Sequence, residues 1–169
     1  GVEINTRGAV TLSNITANFN TLKGVEVYNN FNPAKPANVT VNGTNRFNNN
    51  GETGLCINSF GVVTISNITA SDNGDPDDAN GVRIDNATGI TTAKSVVVSG
   101  VNYFEGNYGT GLYIQSKGAV AIYKVTANNN NNGGNGVYIN NVLTTSTQPV
   151  TVYMYGVFLN NEGSGLEIL

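Results

Sequence analysis

The sequence contains no histidine, no tryptophan, one cysteine and one methionine in 169 residues. Without histidine, Ser-His-Asp and Cys-His nucleophile systems are excluded, as are His-ligated zinc and the usual general base near neutrality. A single cysteine excludes an internal disulfide framework and thiolate metal clusters. Charge is scarce at 11%, and eight Lys and Arg against eleven Asp and Glu leave no basic footprint for nucleic acid. No apolar run approaches the ~20 residues that span a bilayer. The chain begins at Gly1 with no initiator methionine or leader, so it reads as a mature form or an excerpt. Its length suits one domain with enough chain to bury a core.

What is abundant is asparagine, at 30 residues, and glycine, at 21. Neither surplus is low complexity, because both are periodic. The phrase Gly-[Val/Leu]-x-[Ile/Val] returns at Gly1, Gly24, Gly54, Gly81, Gly111, Gly136 and Gly165, at intervals of 23, 30, 27, 30, 25 and 29 residues. Short and long units alternate. Short units carry GAVTLSNITANFN from Gly8, GVVTISNITASDN from Gly61 and GAVAIYKVTANNN from Gly118. Long units carry NVTVNGTNRFNNN from Asn38, SVVVSGVNYFEGN from Ser95 and PVTVYMYGVFLNN from Pro149. These segments alternate apolar and polar residues and are rich in Val, Ile and Thr, the signature of short half-buried strands.

Roughly three short strands per unit, repeated at near-fixed spacing, predict a solenoid. The reading is an all-β, single-domain β-helix over residues 1–169, with about six to seven alternating short and long coils. Like strands would lie parallel, about 4.8 Å apart, giving a rod roughly 30 Å long. Parallel crossovers favour the right hand. A third column fixes the register. Ala17, Phe47, Ala70, Phe104, Ala127 and Phe158 close each coil, and three residues later stands Asn20, Asn50, Asn73, Asn107, Asn130 or Asn161. The spacing predicts an asparagine ladder, each residue satisfying turn polar groups and tolerating the left-handed backbone of a sharp turn. The Ala/Phe alternation predicts small and large residues interleaving in the core.

The GVxI, VTISN and Asn-turn phrases together resemble the right-handed parallel β-helix of the pectate lyase-like superfamily, over the whole chain. That resemblance implies a fold that hosts lyases, hydrolases, adhesins and surface repeats alike.

The x position of GVxI points outward, giving a column of Glu3, Glu26, Cys56, Arg83, Tyr113, Tyr138 and Glu167. Two residues on lie Asn5, Tyr28, Asn58, Asp85, Gln115 and Asn140. Tyr28, Tyr113 and Tyr138 among amides and acids suit a glycan-binding face; the same composition suits a solvated sheet face. Glu3 and Glu26 fall on adjacent coils about 5 Å apart, a spacing close to that of a retaining glycosidase's carboxyls. Their outward position lets them splay into water. Arg83 and Asp85 share a strand face and could form a local ion pair. The phrase GVRID, Gly81 to Asp85, is similar to the Gly-x-Arg-Ile-Lys phrase of polygalacturonases, which implies that Arg83 holds a substrate carboxylate. Only Gly81, Arg83 and Ile84 match; Asp85 reverses the lysine's charge, and the family's Gly-His-Gly motif is impossible here. A pectate-lyase reading would instead make Arg83 a base beside calcium-binding acids.

The densest acids are Asp72, Asp75, Asp77 and Asp78, in an inserted turn, GDPDDAN, that could offer oxygens to Ca²⁺ but fits no standard calcium loop. Otherwise no cofactor is implied. Long coils carry an extra loop at one corner, where Phe31, Ile90 and Leu143 are expected to tuck against the barrel. The outward column Thr11, Thr40, Thr64, Val97, Ala121, Thr151 is too interrupted for an ice-binding array. Asn14, Asn38, Asn42, Asn67 and Asn86 begin Asn-x-Ser/Thr triplets. Cys56 is expected outward and isolated. Both ends read as strands without caps, so the chain is expected to be an excerpt of a longer repetitive protein or a subunit that stacks end to end. The functional expectation is a non-enzymatic, extracellular or cell-surface structural or adhesive segment. Its partners would be other copies, a polysaccharide or a cell surface. The alternatives are a polysaccharide lyase or hydrolase, or a carbohydrate-binding module.

Overall fold

The computed structural model describes residues 1–74, 79–89, 92–141, 148–153 and 155–169. Among them there is no helix, and so none long and apolar enough to cross a membrane. Strands are numbered along the chain. The first sheet stacks β1 (Val2–Asn5), β3 (Val25–Asn29), β6 (Leu55–Ser59), β9 (Val82–Asn86), β12 (Leu112–Ser116), β15 (Val137–Asn140) and β17 (Leu166–Ile168). These are the seven GVxI phrases, paired parallel and in register, Glu3 opposite Glu26 and Tyr113 opposite Tyr138. The second sheet stacks β2 (Val10–Ser13), β4 (Val39–Asn42), β7 (Val63–Ser66), β10 (Val96–Ser99), β13 (Val120–Ile122) and β16 (Val150–Val152). The third holds β5 (Asn45–Arg46), β8 (Ile68–Thr69), β11 (Asn102–Glu105) and β14 (Val125–Asn128), and bridges Thr16↔Arg46 and Thr126↔Val157 extend it by one coil at each side. Every described pairing is parallel, the topology of a β-helix.

The core is a set of columns running along the rod. Val and Ile of the first two sheets are buried on their inward positions from Val25 through Ile139. In the third sheet the bulk alternates. Short coils place Ile68 and Ala70, or Val125 and Ala127; long coils place Asn45 and Phe47, or Asn102 and Phe104. Where one coil has its large side chain, the next has its small one, so neighbours interlock at interior density. Phe47 and Phe104 are fully buried.

The asparagine ladder is continuous. Side-chain amides link Asn20 to Asn50, Asn50 to Asn73, Asn73 to Asn107, Asn107 to Asn130 and Asn130 to Asn161 at 2.8, 3.0, 3.0, 3.0 and 2.8 Å. Each Oδ1 also accepts the backbone N–H of the preceding rung, from Asn20 N to Asn50 at 3.1 Å through Asn130 N to Asn161 at 3.1 Å. Each Nδ2 after the first donates in addition to a carbonyl of the coil before: Ala17, Phe47, Ala70, Phe104 and Ala127.

One detail departs from expectation. The ladder asparagines are not the left-handed residues. The residue before each one is: Phe19, Asn49, Asp72, Gly106, Asn129 and Asn160, with φ between 53° and 67°. That residue makes the corner, and the ladder asparagine directly after it is carried inward. Only there can its amide reach both neighbouring coils.

The ladder also explains the glycine of GVxI. A Cβ on Gly81 would lie 2.5 Å from the Gly111 carbonyl oxygen and 2.8 Å from Asn107 Nδ2, and Gly24, Gly54, Gly111 and Gly136 meet their own ladder amides in the same way. Glycine and asparagine columns are therefore one device, the first leaving room for the second.

Candidate functional site

The outward face of the first sheet is where the sequence offers most chemistry, and it is more ordered than a solvated face requires. In-register pairing of β9, β12, β15 and β17 stacks Arg83, Tyr113, Tyr138 and Glu167 on consecutive coils. The Tyr113 and Tyr138 rings are stacked, with centroids 5.0 Å apart and planes at 15°. The Arg83 guanidinium lies 5.9 Å from the Tyr113 centroid, within cation–π range. Glu167 accepts from Asn135 Nδ2 at 2.9 Å. Burial first, and then the neighbouring Tyr138, raise the Tyr113 phenol above its ordinary pKa, against the pull of Arg83. The geometry matters for recognition. The ring faces are turned along the rod and taken up by each other, so the two tyrosines offer a ligand their edges and hydroxyls rather than a flat stacking platform.

At the other side of this sheet, Glu3 and Glu26 are brought onto adjacent coils as expected. They do not form an isolated carboxyl pair. Glu3 accepts from Asn5 Nδ2 at 2.7 Å. Lys23 lies between Glu26 and Glu52, at 3.5 and 2.9 Å. Tyr28 donates to the Glu26 carboxylate; that bond, then burial and the negative charge, raise its pKa. A shallow groove of about 260 Å³ is lined by Gly1, Val2, Glu3, Leu22, Lys23, Glu26 and Glu52. Its acids are already held by a cation and by amide or phenol donors.

Asp85 is not simply the partner of Arg83. Its Oδ1 accepts the backbone N–H groups of Ala87 and Thr88, at 3.0 and 2.9 Å, and so caps the start of the long-coil loop. Burial opposes its charge, yet these donors and the nearby Arg83 outweigh it and hold the carboxyl below its ordinary pKa. Cys56 occupies the outward column as read, but it is buried, not exposed. Arg83 Nη1 and Asn58 Nδ2 come within 3.9 and 3.7 Å of its sulfur. The small side chain lies between the longer Glu26 and Arg83 on the coils either side.

Of the calcium candidates, Asp72 is one of the left-handed corner residues, and Asp75, Asp77 and Asp78 lie outside the described residues. Among the described residues no three acidic or thiol side chains converge as a metal site would need. Phe31 is half exposed rather than tucked against the barrel; Ile90 and Leu143 lie outside the described residues. Asn86, which begins one Asn-x-Thr triplet, is fully buried, and its Nδ2 donates to the Ser59 and Gly61 carbonyls at 3.1 and 2.6 Å, leaving no nitrogen for a glycan in the folded state.

Three features escaped the sequence reading. Asn45 and Asn102 are buried inside the rod, where their Oδ1 atoms accept the N–H of Ile15 and Ile68 at 3.0 and 3.1 Å. Asn29, Ser59, Asn86 and Ser116 form a further buried polar column at the end of the first-sheet strands. Tyr123 and Tyr153 stack more closely than the other pair, with centroids 4.0 Å apart and planes at 8°. The available signal for the first was the position of Asn45 and Asn102, each two residues before a core phenylalanine.

Among curated proteins and solved structures, none matches this chain significantly. The family model described as a right-handed β-helix region matches residues 1–169. The stacked parallel sheets, the ladder and this match over the full length agree, and the chain belongs to the right-handed β-helix family.

Proposed function

We propose that this chain is a structural and adhesive β-helix segment, extracellular or displayed at a cell surface, and that it acts by presenting its lateral faces rather than by catalysis. The observation that carries this reading is the use already made of its reactive side chains. Asp85 caps a loop, Glu167 holds Asn135, Glu26 and Glu52 share Lys23, and Tyr113 and Tyr138 stack on each other. Each such contact stiffens the rod or its loops. A general acid needs the opposite setting, a carboxyl left poised beside the bond it must protonate.

The adhesive ligand is a polysaccharide that runs along the first sheet and bonds to phenol and amide edges, chiefly Tyr28, Tyr113, Tyr138 and Gln115. Polar edges repeated at the coil spacing suit a chain of hydroxyl groups better than a single small molecule. Contact with further copies or coils of the same kind belongs to the same reading: Val2 on the first coil and Ile168 on the last are exposed in the isolated chain, whereas their counterparts one coil inward, Val25 and Ile139, are buried, so a stacked coil would cover them.

The test is to incubate the protein with neutral and acidic polysaccharides, with and without Ca²⁺, and to follow both retention and product release. Retention without new reducing or unsaturated ends is expected, weakened when Tyr113 and Tyr138 are both changed to Phe. Product release that disappears in Arg83→Ala or Glu26→Gln would overturn the reading in favour of a lyase or hydrolase.

A further inference from the structure

The closest aromatic pair among the described residues lies beside the second sheet, away from the outward face of the first. Tyr123 follows β13 and Tyr153 follows β16. Tyr123 N–H donates to the Val98 carbonyl and Tyr153 N–H to the Ile122 carbonyl, both at 2.9 Å, so the parallel register continues past the strands and carries one ring over the other. The rings lie 4.0 Å apart and nearly parallel, at 8°. Tyr153 is 45% exposed. The Tyr123 hydroxyl donates to that of Tyr153, which raises the Tyr123 pKa and keeps the two phenol oxygens side by side. Parallel in-register strands also point both side chains the same way. Each ring carbon next to the hydroxyl-bearing carbon therefore lies near its counterpart on the other ring.

We propose that Tyr123 and Tyr153 are a site of oxidative modification, at which a peroxidase-type one-electron oxidant joins the two rings as dityrosine and staples the last two described strands of the second sheet. Each phenol gives up one electron and one proton. The two radicals couple through a new carbon–carbon bond between the positions next to the hydroxyl-bearing carbons. The hydrogens on those two carbons shift to the phenol oxygens as the rings regain aromaticity. One hydrogen peroxide takes up the two electrons and two protons and becomes two waters. Fixed proximity makes the coupling intramolecular, at an effective concentration well above that of other molecules in dilute solution. The pair Tyr113 and Tyr138 is an internal comparator: its rings are further apart, at 5.0 Å, and Arg83 stands over one of them. The proposal does not rest on the adhesive reading of the first sheet.

The experiment treats the whole chain with a haem peroxidase and hydrogen peroxide at low protein concentration, then separates monomer from larger species. The expected product is a monomer lighter by two hydrogens with blue dityrosine fluorescence. Trypsin should release residues 118–124, whose one tyrosine is Tyr123, joined to residues 125–169. That joined pair should persist in Tyr138→Phe and Tyr155→Phe and be lost in Tyr123→Phe and Tyr153→Phe, all four folding like the parent by circular dichroism. Dityrosine found only in dimers, or a joined pair that survives Tyr153→Phe, would overturn the proposal. So would tyrosine consumption without any dityrosine in the monomer.

Discussion

The middle of the asparagine ladder should be the most costly place in the molecule to lose a few polar atoms. Asn107 is fully buried. Its Nδ2 donates to the Ala70 carbonyl and to Asn130 Oδ1, both at 3.0 Å, and its Oδ1 accepts from Asn73 N at 3.1 Å and Asn73 Nδ2 at 3.0 Å. Asn107→Ala strands the Asn73 N–H and the Ala70 carbonyl inside the rod. At about 1–3 kcal/mol for each of these two buried groups left without a partner, the substitution should cost about 2–6 kcal/mol, a large part of the ~5–15 kcal/mol that holds an ordinary domain together. Asn20 is the control. It is only partly buried and its amide makes one ladder bond, to Asn50 at 2.8 Å, so Asn20→Ala should cost about 1 kcal/mol. Asn107→Asp sharpens the test. A carboxylate there would face the Ala70 carbonyl and Asn130 Oδ1 with no donor hydrogens, so its folded-state pKa is raised. The variant should therefore be less stable than Asn107→Ala near neutrality and recover as the pH falls and the acid is protonated. Equilibrium urea unfolding followed by far-ultraviolet circular dichroism reads all three. Equal losses for Asn107→Ala and Asn20→Ala would refute the idea that the ladder stabilises through buried, doubly satisfied amides.

Gly81→Ala should destabilise by about 2–3 kcal/mol, in the range of an overpacked core, because the new methyl meets backbone and a ladder amide that cannot move apart; Gly8→Ala, whose nearest neighbour would be 3.7 Å away, should stay within about 0.5 kcal/mol of the parent in the same unfolding assay. Asp85 has a folded pKa below the unfolded value, so its contribution is present above the unfolded carboxylate pKa and is lost as the pH falls through the folded one. The stability gap between the parent and Asp85→Ala should accordingly close in acid, and an unchanged gap would show that the carboxylate does not cap the loop. Tyr28 has a raised pKa because it donates to Glu26; Glu26→Gln should lower it, read as an earlier phenolate transition in an alkaline ultraviolet titration.

The coil-by-coil organisation is legible in the sequence because each coil repeats the same local demands. Every strand must show one apolar side inward, and the corner before each ladder asparagine must accept a left-handed residue. Each tight approach must lack a Cβ. Those demands recur at the interval of one coil, so the columns of Gly81 and Asn107 stand out in the sequence, although only the fold shows that the left-handed turn falls on Gly106 and that Gly81 leaves room for the Asn107 amide. The same regularity identifies the outward column in which Arg83, Tyr113 and Tyr138 stand. What residue identity does not carry is the state of that column once the coils close on one another. Whether Cys56 is open or covered depends on Glu26 and Arg83, about one coil away on either side. Whether Asp85 meets Arg83 or caps a loop depends on how the chain leaves β9. Whether a tyrosine offers its face or its edge depends on the ring one coil away. The local pattern determined a right-handed stack of short parallel strands held by an asparagine ladder; contacts between residues some 25–30 positions apart decided which of its polar groups are already spent.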